Sequence, residues 1–157
     1  MRRWRSWLAC AARCALGCGF LYAGMVKFQD PGAFAGAIAA FQLLPPAGVE
    51  WLAGSLPSFE ILLGALLLTG WQLPAAALAA TLLASGFAAA LGLALARGLV
   101  VDCGCFGEGA PSIRHTWVAL GRDIVVLIAA CWLYRVGRAG RALAPVMSKG
   151  AADPTPS

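Results

Sequence analysis

The chemistry this sequence offers rests on two thiols and a few charges set in apolar surroundings. In Asp102-Cys103-Gly104-Cys105-Phe106-Gly107 the thiols are separated by a single glycine. A disulfide needs Cα atoms about 4.4 to 6.8 Å apart, and a turn at Gly104 allows this where a straight strand barely does. The ring so closed is tiny, so the bridge removes little unfolded-state entropy and is strained. Strained, exposed disulfides exchange readily with an incoming thiolate, which makes Cys103 and Cys105 a candidate redox pair. Arg97, Arg114 and His115 favour the thiolate, whereas Asp102 and Glu108 oppose it. Two other readings stay open. The pair with His115 lacks the fourth ligand of a closed zinc site, so no metal is expected; the motif also reads as a tight turn that statically clips its loop.

Glu60, Arg122 and Asp123 fall inside apolar stretches and Lys27 ends one. Ionisable groups are expensive there and normally face the interior of a bundle. Adjacent residues point about 100° apart on a helix, so Arg122 and Asp123 are expected to have different partners, with Glu60 the partner of Arg122. Pro57, three residues before Glu60, is expected to kink its helix and open room for the cluster. Two functions compete: a polar site beneath the thiols for a quinone head group or proton movement, or a buried ion pair that fixes helix register.

A membrane bundle must position these groups. Of 157 residues, 61% are hydrophobic and only 12% charged, against about 25% charged in soluble domains. That excludes an ordinary soluble protein, a disordered chain and a nucleic-acid-binding domain. A span needs roughly 20 mostly apolar residues, which predicts an all-α four-helix bundle with spans at 7–26, 50–69, 73–96 and 117–134. The first span is read as retained, not cleaved as a signal peptide. Residues 33–44, closed by Pro45-Pro46, are too short to span and predict an interfacial helix. Arg2, Arg3, Arg5 and Arg13 at one end, with Arg135, Arg138, Arg141 and Lys149 at the other, place both termini in the cytoplasm and the Cys103 loop outside. Arg13 is expected to snorkel without a partner. Residues 1–141 form the transmembrane domain, and 142–157 read as a disordered cytoplasmic tail.

All six tryptophans, Trp4, Trp7, Trp51, Trp71, Trp117 and Trp132, fall near predicted helix ends, as an aromatic belt requires. Small residues at spacing four, Ala11, Ala15, Gly19 and Ala23, and again Ala84, Ala88, Gly92 and Ala96, predict packing ridges. Cys10, Cys14 and Cys18 share one helix face, with Cys131 at similar depth; they read as small packing residues, or as carriers of reducing equivalents toward the outer pair.

Phe20-Leu-Tyr-Ala-Gly-Met-Val-Lys-Phe28 with Asp30-Pro31, Leu43-Leu-Pro45, Pro57-Ser-Phe-Glu60 with Gly64, Cys103-Gly-Cys-Phe-Gly107 and Arg122-Asp123 follow one another in this order. Over residues 13–134 the sequence resembles the methylamine utilisation protein MauE family, within the DoxX-like group of four-helix membrane proteins. The resemblance implies a multi-pass protein of the bacterial inner membrane that supports maturation or export of a disulfide-rich periplasmic client, such as the small subunit of methylamine dehydrogenase, alongside a thioredoxin-like protein. Similar four-helix thiol oxidoreductases use Cys-x-x-Cys beside a quinone, and Cys-Gly-Cys departs from that pattern. The alternatives are a non-catalytic membrane scaffold or maturation chaperone, and a small-molecule transporter with Glu60 and Arg122 at its substrate site.

Overall fold

A computed structural model of the chain describes residues 2–99, 101 and 113–150. It is all-helical among the described residues, with α1 at Arg2–Gln29, α2 at Pro31–Ala40, α3 at Pro46–Thr69, α4 at Leu73–Ala96 and α5 at Ile113–Gly150. Four segments are long and apolar enough to cross a membrane: Trp7–Gln29, Pro46–Thr69, Leu73–Ala96 and Thr116–Ala139. In a bilayer the backbone must satisfy its own hydrogen bonds, and helices do so within one segment. The hydroxyls follow the same rule. Ser55, Thr69, Thr81 and Ser85 each donate to the carbonyl four residues earlier.

The helices form two antiparallel pairs. α1 packs on α3, and α4 on α5; the pairs join through α3 with α4 and α1 with α5, so α1 and α4 lie across a diagonal, as do α3 and α5. The contact of α1 with α3 depends on glycine. A Cβ at Gly64 would fall 2.8 Å from the Gly17 carbonyl oxygen, and one at Gly24 would fall 2.9 Å from the Pro57 carbonyl oxygen. Small residues let backbones approach where lipid supplies no hydrophobic force between helices. α3 continues through Pro57 as one unbroken helix.

The tight faces differ from the expected ridges. Gly17 and Gly24 are buried, whereas Ala11, Ala15 and Gly19 are exposed, and a Cβ at Gly19 or Gly92 meets nothing within 4 Å. On α4, Ala76, Ala77, Ala80 and Ala84 are buried and form the packed face. Cys10, Cys14 and Cys18 are exposed on α1, outside the packed interior of the bundle, which corrects the reading of them as packing residues; Cys131 is half-buried. Trp4, Trp7, Trp51, Trp71 and Trp117 are exposed. Trp132 instead packs against the core of Leu16, Leu67, Ala77 and Leu133, because α5 extends well past the expected end at residue 134.

α2 begins at a sharp stop. Asp30 accepts from the Ala33 amide at 2.9 Å and Pro31 occupies the first turn, an N-cap followed by the residue best tolerated there. Phe34 on this helix is buried against Ala53 and Leu56 of α3. At the other end of the bundle α3 closes on Gly70 in the left-handed conformation, φ 72°. A Cβ there would collide with the Arg13 guanidinium, so Arg13 has a place against the C-terminus of α3 and does not simply snorkel. The cation complements the negative end of the helix. Gly70→Ala is expected to lower stability by about 1 to 2 kcal/mol from left-handed strain alone, read as an earlier thermal unfolding midpoint in detergent.

Candidate functional site

The charges of three helices meet between the two pairs. Lys27 near the end of α1 is fully buried and its Nζ lies 2.5 Å from Glu60 Oε1 on α3. The ammonium also sits 5.0 Å from the centroid of Phe34 and 4.8 Å from that of Phe87. Both rings turn their negative faces to it, an attraction worth more when water is excluded. Two aromatic faces and one carboxylate thus replace the hydration of a lysine that cannot reach solvent.

On α5, Arg122 donates to Asp123 Oδ1 through Nε at 3.2 Å and through Nη2 at 3.0 Å. Glu60 is therefore paired with Lys27, and Arg122 with Asp123, contrary to the expected pairing of Glu60 with Arg122. The cause is helix order. The close approach at Gly17, Gly24 and Gly64 sets α1 beside α3, whereas α5 lies diagonal to α3. The long Arg122 side chain folds back over the 100° that separates it from its neighbour.

A cavity of about 110 Å³ lies between the pairs, with Glu60, Phe87, Arg122 and Asp123 on its wall. Ala15, Gly19 and Ala23 line it from α1, and Ala84 from α4. These members of the two small-residue ridges border a cavity, where packing was expected. Glu60 Oε2 is buried without a hydrogen-bond partner. Four spans thus enclose a partly polar space at membrane depth.

Cys103 and Cys105 lie outside the described residues, as does the side chain of His115. The described residues that flank them are held in the bundle. Thr116 Oγ1 donates to the Val101 carbonyl at 2.9 Å within the bundle, and Val101 packs with Leu91, Ala94 and Ala119. Phe41 joins this cluster, and Arg97 reaches the Gln42 carbonyl at 3.5 Å. The described residues on either side of the thiol segment therefore lie at the α2 end of the bundle, the end toward which Lys27 lies. Among the described residues no group of three or more His, Cys, Asp or Glu could hold a metal.

Phe34 and Phe87 are the members of the cluster that the sequence reading missed. Each is the lone aromatic of an Ala-rich helix, a signal that only register against Lys27 makes meaningful.

Residues 5–135 match the methylamine utilisation protein MauE family. A protein of Paracoccus denitrificans named Methylamine utilization protein MauE is 34% identical over 122 residues, covering 76% of this chain and 64% of its own length. No solved structure matches the chain significantly. The family match covers the first three membrane helices, the fourth as far as residue 135, and every residue of the polar cluster, and the chain belongs to the MauE family.

Proposed function

We propose that this chain is a membrane component of disulfide exchange in methylamine utilisation, with Cys103 and Cys105 passing a disulfide to a periplasmic client. The observation that carries the reading is the Cys-Gly-Cys-Phe-Gly segment joining α4 to α5 in a chain of this family. The basic residues at both chain ends favour cytoplasmic termini, which puts the thiol segment in the oxidising compartment, where disulfides persist.

The exchange balances without further redox groups. A client thiolate attacks one sulfur of the Cys103 to Cys105 bond, that bond breaks, and a mixed disulfide forms while the other cysteine leaves as thiolate. The client's second thiolate then attacks the mixed disulfide and releases the pair as a dithiol. The client loses two electrons and the pair gains them. The disulfide of a thioredoxin-like protein restores the pair by the same steps in reverse.

Cys103→Ser and Cys105→Ser are each expected to trap a mixed disulfide with a periplasmic protein, seen as a band that thiol reductant removes. An impermeant thiol reagent is expected to label the pair in intact cells only after reduction. Absence of any adduct from both variants, with the wild-type pair unresponsive to thiol buffers, overturns the reading. Full client maturation by the double Cys→Ser variant favours the scaffold alternative instead.

A further inference from the structure

The cavity between the helix pairs has the features of a binding site for a lipid-borne molecule. Ala15 and Gly19 line it and yet are exposed in the middle of a membrane span, so its mouth faces the hydrocarbon. Inside, Glu60 is 2% exposed and its Oε2 has no partner, while Oε1 is held by Lys27. An ionised carboxylate oxygen accepts only, so what completes this site brings a hydrogen-bond donor. Arg122 and Asp123 also line the space, and Arg122 supplies a cationic donor to a second polar atom of the same molecule.

Charge narrows the class. Two cations and two anions balance, so the site has no net pull on an ion, and a fatty acid anion would meet both Glu60 and Asp123. A strongly polar solute would not enter through lipid. Size narrows it further: a dry cavity of about 150 Å³ takes a benzene ring, so the 110 Å³ here takes no more than one ring, and that only with part of it in the open mouth. Ala15, Gly19 and Ala23 present no side chain beyond Cβ and leave gaps in the α1 wall beside Leu16 and Phe20, while Phe87 of α4 adds an aromatic ring to the lining.

We propose that this cavity binds the head of a single-ring hydroquinone from the bilayer, with one hydroxyl donating to Glu60 Oε2, the opposite oxygen toward Arg122, and the tail leaving past Ala15 and Gly19 into lipid. The inference uses no thiol and stands apart from the disulfide reading.

The test is equilibrium binding of a decyl-substituted benzohydroquinone to the purified full chain in lipid nanodiscs, kept anaerobic and reduced. Saturable binding is expected, with the oxidised benzoquinone form about tenfold weaker or more, because it has no hydroxyl to give to a charged acceptor. Gly19→Leu fills the mouth from a position where a Cβ meets nothing within 4 Å, and is expected to weaken binding about tenfold or more while the thermal midpoint holds. Ala15→Leu on the same wall repeats the test should Gly19→Leu fold poorly. No saturable binding, equal affinity for the two oxidation states, equal displacement by decanol, or wild-type binding by both wall variants each overturns the proposal.

Discussion

Lys27→Met alone is expected to destabilise the folded bundle by about 3 to 5 kcal/mol, Glu60→Leu alone by a similar amount, and the two together by far less than their sum. Lys27 and Glu60 are 1% and 2% exposed and bound to each other. Removing one leaves the other charged, dry and uncompensated. Its neighbours soften the loss only partly: Phe34 and Phe87 attract an ammonium, not a carboxylate. With both charges gone, leucine and methionine of similar volume bury no ion at all. A double-mutant cycle read by loss of helicity on titration with SDS in mixed micelles measures the coupling. Single variants that each cost under about 1 kcal/mol, or a double variant that costs the full sum, would show that this pair does not hold α1 to α3.

The four spans were legible because membrane thickness imposes a length and lipid imposes a composition, and both are written in the residues. Lys27, Glu60, Arg122 and Asp123 were legible as a set for the same reason: charge is rare in such helices and therefore conspicuous. Partner choice was not. Glu60 and Arg122 lie at comparable depth, but pairing depends on which helices are neighbours around the bundle, and no local pattern encodes that order. The small-residue faces failed in a related way. Spacing of four located Ala11, Ala15, Gly19 and Ala23, while the true contact uses Gly17 and Gly24 at spacing seven. In water the apolar face of a helix identifies itself; in lipid both faces are apolar, so hydrophobicity carries no inward signal. Arg13 shows the same limit, because its seat at Gly70 depends on the antiparallel fit of α1 to α3.

Gly64→Ala is the sharper test of that fit. Its new Cβ would lie 2.8 Å from the Gly17 oxygen, the Leu21 nitrogen and Leu21 Cγ. Two of these atoms are backbone, so no rotamer change relieves the contact and the helices must separate. Overpacking of this kind costs about 1 to 3 kcal/mol, and a value toward the upper end is expected here. Gly19→Ala adds the same methyl to the same helix pair where nothing lies within 4 Å. It is expected to be neutral or to stabilise by about 0.5 to 1 kcal/mol, since alanine loses less backbone freedom in a helix. The contrast cancels helix propensity and leaves packing. Separation of α1 from α3 at Gly64 also draws Lys27 from Glu60, because both contacts lie along one antiparallel seam. Gly64→Ala should therefore cost less in the Lys27→Met, Glu60→Leu background than in the wild type. Equal costs in the two backgrounds would mean that packing and the buried ion pair stabilise the seam independently.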